Sequence, residues 1–264
     1  AGLGRAPTKP DPEHYANRFE HVDVLVAGGG PAGLAAALAA GEAGASVLLC
    51  DEGGSFGGWL KGESDTTIDG VAAMVWVDGI VARLAGMANV RLMPRTTAFG
   101  YYNHNMLALA EQVTDHLSEP DPALPRERLW QVRAKNVVLA TGSIERPLVF
   151  PDNDRPGIML AGAARLYLNH FGVAVGRRVA VFTAHDAAYA GAIDLKRAGV
   201  AVPVIVDLRA EPPADITAEA RALGIEVLAG YEIKTVRGTR RITGFTVEEL
   251  RSGQDNRRFD CTRS

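Results

Sequence analysis

Three glycines stand at the spacing Gly-x-Gly-x-x-Gly in Gly28-Gly29-Gly30-Pro31-Ala32-Gly33, and an acid, Asp51, follows Gly33 by eighteen residues. In a strand-turn-helix this combination suits the diphosphate of an adenine dinucleotide. Gly28 permits the tight turn, Gly30 leaves room for the diphosphate to approach the backbone, and Gly33 lets helix and strand pack closely. The unpaired N–H groups and the positive end of the helix would then face the phosphates. Asp51, helped by Glu52, can accept hydrogen bonds from the adenosine ribose hydroxyls. Its charge would repel a ribose 2′-phosphate, and Gly53 and Gly54 supply no arginine to hold one, so NADP is disfavoured. NAD and FAD share the same ADP half, and the motif does not separate them.

Two further stretches belong with this loop. Residues 52–59, Glu52-Gly53-Gly54-Ser55-Phe56-Gly57-Gly58-Trp59, read as a loop folding back beneath the diphosphate, where glycines permit close backbone approach. The run Val137-Val138-Leu139-Ala140-Thr141-Gly142 is similar to the Ala-Thr-Gly strand ending that follows the meander in two-dinucleotide-domain flavoproteins. Later in the chain, where a second glycine turn would stand, the sequence is Thr183-Ala184-His185-Asp186-Ala187-Ala188. Thr183 and His185 would crowd a diphosphate, so this unit is expected to bind no dinucleotide in the usual way. His185 and Asp186 are adjacent, and since adjacent residues seldom point at each other they read as a surface turn rather than an acid-base pair. The remaining histidines, His14, His21, His104, His116 and His170, are scattered without metal-ligand spacing.

The elements that must position these residues follow from patterning. Residues 1–21 carry Pro7, Pro10 and Pro12 and no apolar periodicity, and read as an extended linker or arm. Residues 22–27 form a buried strand, a helix runs from Pro31 to about Ala43, and residues 46–50 form a second buried strand. Continuous apolar runs on both strands suit a parallel sheet covered on two faces. A short amphipathic helix is expected over 78–88, a strand over 90–93, and an antiparallel meander turning at Asn103-His104-Asn105. Residues 118–126, with three prolines among charges, read as an exposed loop. Strands are then expected over 129–134 and 136–140. After the turn-rich 151–157, a strand (179–182), a helix (186–198) and a strand (202–206) repeat the first unit, and short strands follow from Ile225 to 242–250. The predicted architecture is α/β: a first dinucleotide-binding domain over 22–155 and a second, degenerate Rossmann-like domain over 156–264, with β-meander additions.

The totals exclude several classes. Of 264 residues 47% are hydrophobic and 22% charged, as in a globular protein with a sizeable core. The formal charge is −3 with no dense Lys/Arg run, so neither nucleic acid nor a membrane surface is an expected partner. The apolar stretch 22–50 is broken by Asp23, the glycines with Pro31, and Glu42, and does not read as a membrane span. Cys50 and Cys261 form no redox pair or disulfide framework, which fits a reducing, cytoplasmic setting. The chain opens on Ala1 rather than Met and stops at Ser264 after a hairpin, and reads as a piece of a longer polypeptide.

Several motifs taken together resemble the alpha subunit of heterotetrameric sarcosine oxidase: Tyr15-Ala16-Asn17-Arg18-Phe19 before the first strand, the glycine loop, Phe99-Gly100-Tyr101-Tyr102-Asn103, and the stretches 140–150 and 153–160. The glycine loop and Ala-Thr-Gly are shared by a broad flavoprotein superfamily, whereas 145–150 and 153–160 are more specific. The resemblance implies a two-dinucleotide-binding-domain flavoprotein fold whose nucleotide site holds NAD. It also implies a complex with beta, gamma and delta subunits, with FAD and FMN associated through the beta subunit. Such a complex oxidises sarcosine to glycine, passes the one-carbon unit to tetrahydrofolate at a region beyond this segment, and forms hydrogen peroxide. Carried over by motif, the site would use Gly28, Gly30, Ala32, Gly33, Asp51, Glu52, Gly53, Trp59, Ala98, Thr141 and Gly142, with Ala98 beside the adenine and no catalytic residue in this segment. Two other readings stand beside it: a free-standing FAD-dependent NAD(P)H oxidoreductase, and a ligand-free structural scaffold.

Overall fold

The computed structural model describes residues 4, 6, 8–11, 13–253 and 256–261. Pro7, Pro12 and both chain ends, on which the linker and fragment readings partly rest, lie outside the described residues. The chain divides into two compact units, one running to Leu60 and resuming over Thr67–Gly142, the other made of Lys61–Thr66 and the chain from Ser143 onward.

The first unit is built on a six-stranded sheet. Its elements are β1 (Tyr15–Ala27), α1 (Pro31–Glu42), β2 (Val47–Cys50), the short hairpin β3 (Thr67–Ile68) and β4 (Val71–Ala72), α2 (Ala73–Ala85), β5 (Val90–Met93), β6 (Thr96–Tyr102), β7 (Met106–Gln112) and β8 (Glu127–Leu139). The strand order is β5-β2-β1-β8-β7-β6. Pairing is parallel from β5 to β8 and antiparallel through β7 and β6. The apolar runs of β1 and β2 have the cause expected for a sheet covered on both faces. Val26, Val47 and Leu49 pack with Leu34 and Ala37 of α1 and Val77, Ile80 and Leu84 of α2. Leu25, Leu48 and Cys50 pack instead with Leu107, Leu109, Trp130 and Val132 of the meander. Pro31 occupies the first turn of α1, where its missing N–H costs nothing.

Several elements differ from the sequence reading. The segment assigned to an extended arm up to residue 21 becomes strand at Tyr15, because residues 15–22 pair in register with residues 127–134 of β8. Two strands expected at 129–134 and 136–140 are one continuous strand. The amphipathic helix starts at Ala73, ahead of the expected 78.

The second unit contains α3 (Ala161–Phe171), β9 (Val181–Thr183), α4 (Ala187–Arg197), β10 (Val204–Asp207), α5 (Ala214–Ala222), β11 (Glu226–Ala229), β12 (Tyr231–Arg237), β13 (Gly244–Glu249) and β14 (Asn256–Asp260). A parallel sheet β11-β10-β9 and an antiparallel sheet β12-β13-β14 carry it. Patterning did not reveal α3, α5 or β14. The unit begins at Ser143, not at 156, because the intervening residues are tied into it. The Glu145 carboxylate accepts the N–H groups of Ala161 and Gly162 at 3.2 and 2.8 Å, capping α3, and Phe150 meets Phe182 edge to face at 5.4 Å. Lys61–Thr66 joins the same unit through Ser64 on Asp194 (3.1 Å), Glu63 on Arg165 (2.7 Å), and Asn169 donating to the Gly62 carbonyl (2.7 Å). Among the described residues, no helix is long and apolar enough to cross a membrane.

Candidate dinucleotide site

The turn between β1 and α1 brings most of the expected residues together, and each glycine has its own reason. Gly28 has φ +106°, a left-handed conformation, and a Cβ there would lie 2.2 Å from the Ala140 carbonyl oxygen. At Gly33 a Cβ would fall 1.8 Å from the Gly28 carbonyl oxygen, so only a bare Cα lets the helix sit this close to the turn. Gly30 is different. Its φ of −75° is open to any residue, and a Cβ would meet nothing nearer than Gly58 Cα at 3.9 Å. Packing within the protein therefore does not demand glycine at position 30, and the space beside its Cα is open to an approaching group. Gly30 is also the N-cap of α1 and, among the described residues, no side chain caps that helix, which leaves first-turn N–H groups, with Ala32 exposed among them, to a ligand or solvent.

The loop after β2 folds back onto this turn. The Gly57 N–H donates to the Gly29 carbonyl at 2.8 Å, and the buried Phe56 ring lies where a Gly29 Cβ would be, 2.2 Å from Cδ1. Gly58 has φ +54° and abuts Gly30, with Trp59 next to it on a 3-10 turn over Gly58–Gly62 and half exposed. Gly29 and Phe56 were missed by the motif reading. A triplet of glycines, one more than the motif requires, was the available signal.

Asp51 is held by two backbone donors. One carboxylate oxygen accepts the Gly29 N–H at 2.6 Å and the other the Gly53 N–H at 2.8 Å. It links the glycine turn to the following loop, and each oxygen keeps a further lone pair for a ribose hydroxyl. Glu52 beside it is exposed. Before it, the buried Cys50 thiol is pushed up to about 12 by burial and then by the neighbouring Asp51 charge. Three backbone hydrogen bonds join this segment to the end of β5: Asp51 N–H to Met93, Thr96 N–H to Asp51, and Arg95 N–H to Gly53, at 3.1, 2.8 and 2.9 Å. Thr141 and Gly142 leave β8 beside the turn, following the Ala140 N–H bond to the Ala27 carbonyl at 2.8 Å. Ala98 lies on β6, opposite Leu109 and packed against the core of that face, rather than at the glycine turn itself.

In the second unit the equivalent positions are occupied by the chain. Asp207 ends β10 as Asp51 follows β2, but it is fully buried. Tyr189 of α4 donates its hydroxyl to Asp207 at 2.8 Å, and the Arg209 guanidinium binds Asp207 at 2.8 and 3.1 Å and Asp186 at 2.6 Å. Among the described residues no ion pair joins His185 to Asp186: the His185 backbone N–H donates to the Thr183 hydroxyl, and Asp186 pairs with Arg209.

Residues 23–124 match the family described as FAD dependent oxidoreductase. Over 87% of its length the chain is 50% identical to the sarcosine oxidase subunit alpha of Rhizobium meliloti (strain 1021), and over 87% it is 46% identical to that of Corynebacterium sp. (strain P-1). A further sarcosine oxidase subunit alpha, that of Corynebacterium sp. (strain U-96), is 41% identical over 99% of this chain. The chain spans about a quarter of the length of the first two of these curated relatives, 23% and 24%. The L-proline dehydrogenase of P. horikoshii shares the fold at a TM-score of 0.65 with 24% identity, over 92% of this chain and 41% of that one. The mixed α/β architecture is thus that of the two-dinucleotide-domain oxidoreductases.

Proposed function

We propose that this chain is the NAD-binding part of a sarcosine oxidase alpha subunit, holding the cofactor without carrying out chemistry itself. The single observation that carries the reading is Gly30: a glycine that protein packing does not require, at an uncapped helix N-terminus, beside open space. An adenine dinucleotide diphosphate fills that space and takes the helix N–H groups. Gly28 and Gly33 shape the turn, Gly53 and the loop ending at Trp59 close on it, and Asp51 with Glu52 receives the adenosine ribose. Thr141 and Gly142 flank the turn, and Ala98 lies toward the adenine.

The complex to which the chain contributes would comprise beta, gamma and delta subunits, with FAD and FMN through the beta subunit. It would oxidatively demethylate sarcosine to glycine, transfer the one-carbon unit to tetrahydrofolate and form hydrogen peroxide in the cytoplasm. The likeness to sarcosine oxidase alpha subunits supports this assignment. A second reading, FAD in the same site, is favoured by the FAD dependent oxidoreductase family match. A free-standing NAD(P)H oxidoreductase finds no support in the second unit, where Tyr189 and Arg209 occupy Asp207.

Releasing the small molecule from purified protein and identifying it by mass and absorbance decides between these. NAD is the expected result. A flavin spectrum would transfer the site to FAD, and protein that neither retains nor rebinds a dinucleotide would overturn nucleotide binding altogether.

A further inference from the structure

Arg95 follows β5, and its backbone is locked against the Asp51 segment by the Arg95 N–H to Gly53 bond and by Gln112 donating to the Arg95 carbonyl, both at 2.9 Å. Its φ of +53° is a left-handed conformation that favours glycine or asparagine, so an arginine here is kept against its own backbone preference. Its guanidinium stands on Gly54. A Cβ on Gly54 would lie 2.9, 3.0 and 3.1 Å from Nη2, Cζ and Nη1. Nearly equal distances to all three atoms mean that the guanidinium presents a flat face to Gly54, since an in-plane approach would bring the two nitrogens distinctly closer than Cζ. Gly54 itself is not in a left-handed conformation. What it contributes is the space for this plane. Among the described residues the side chain of Arg95 has no ion pair and no aromatic partner.

We propose that Arg95 is a cofactor-positioning residue whose guanidinium, seated face-down on Gly54, stacks its opposite face on the adenine ring of the bound dinucleotide. The proposal rests on the dinucleotide reading above. An acid after β2 that receives the ribose puts the adenosine at the carboxyl ends of β2 and β5, where the Asp51–Gly53 segment and Arg95 are hydrogen-bonded together. A planar, weakly hydrated cation with one face covered by backbone suits a planar heteroaromatic ring. A 2′-phosphate is the less favoured occupant, because the Asp51 carboxylate is bonded to the adjoining Gly53 N–H and face-down packing turns the guanidinium plane, rather than its N–H edge, toward the ligand. The sequence motif supplied no arginine at Gly53 or Gly54; the fold brings one there from the neighbouring strand.

The test measures NAD, ADP-ribose and NADP binding by calorimetry to the unaltered chain and to Arg95→Met, Arg95→Lys and Gly54→Ala, with thermal melts as a folding control. The expected result is NAD and ADP-ribose affinity lowered roughly 5- to 20-fold in Arg95→Met and in Arg95→Lys alike, since lysine keeps the charge and loses the plane. Gly54→Ala, which displaces the guanidinium, should act in the same direction with an unchanged melting temperature. Full affinity in Arg95→Lys, or an unaltered chain that binds NADP as tightly as NAD and loses only NADP in Arg95→Met, overturns stacking. If the unaltered chain binds none of the three, the NAD reading fails and this assignment with it.

Discussion

The carboxylate of Asp51 accepts the N–H of Gly29 at 2.6 Å, so the acid that terminates the second strand also holds the turn that terminates the first. Its other oxygen holds Gly53 at 2.8 Å. The glycine turn and the loop after the second strand therefore share one side chain. Asp51→Asn keeps one acceptor oxygen and turns an NH2 group toward a backbone donor. It should lower stability by about 1–3 kcal/mol, in addition to weakening NAD binding by about 1–2 kcal/mol. Denaturant unfolding alongside calorimetry separates the two effects. Unchanged values in both would remove Asp51 from either role.

Gly30 and Gly33 make opposite predictions for the same substitution. Gly33→Ala places a Cβ 1.8 Å from the Gly28 oxygen and should destabilise the fold by about 1–3 kcal/mol, with binding lost as a consequence. Gly30→Ala, with 3.9 Å of clearance, should unfold at the same denaturant concentration as the unaltered chain yet bind NAD at least about tenfold more weakly. A Gly30→Ala variant of undiminished affinity would contradict the diphosphate position.

Cys50 is buried between the strands, and its thiol is raised to about 12. At pH 8 only about one thiol in ten thousand would be thiolate, and alkylating reagents attack the thiolate. Iodoacetamide should leave Cys50 unlabelled in the folded protein and label it after denaturation, read by peptide mass. Rapid labelling of the native chain would show that this strand opens.

Asp23 binds the Lys135 ammonium at 2.7 Å and the Ser46 N–H and hydroxyl, each at 2.8 Å. Lys135 first, then Ser46, holds its carboxyl well below the ordinary carboxylate range. A depressed folded-state value means that the stabilisation is complete above the unfolded value near pH 4 and is lost as pH falls through the folded one. Asp23→Asn should therefore be less stable at pH 7 and show a smaller further loss on acidification below about pH 4. Parallel acid titrations of the two proteins would refute the assignment.

The residues that shape the glycine turn were legible from Gly28 to Asp51 because local rules suffice there. A left-handed turn, a close helix-strand approach and a proline in the first helical turn each leave a residue type at a set distance along the chain. The crowded second turn was legible for the same reason, through Thr183 and His185 where glycines would stand. The strand at Tyr15–His21 was not, because its polar and aromatic residues have no apolar period of their own. Register with β8, more than a hundred residues away, makes them strand. Likewise the unit boundary at Ser143 depends on Glu145 capping a helix that patterning did not reveal.

By itself, then, the sequence determined that a glycine turn joins a strand to a helix, which glycines form it, and that the corresponding turn of the second unit carries Thr183 and His185 where glycines would stand. Tertiary structure decided which groups surround each turn: Phe56 over Gly29, Asp51 shared between two backbone donors and Arg95 on Gly54 in the first unit, and Tyr189 and Arg209 on Asp207 in the second. The reason is that a turn is written in neighbouring residues, whereas the walls of a site come from different strands, brought side by side only when the sheet forms.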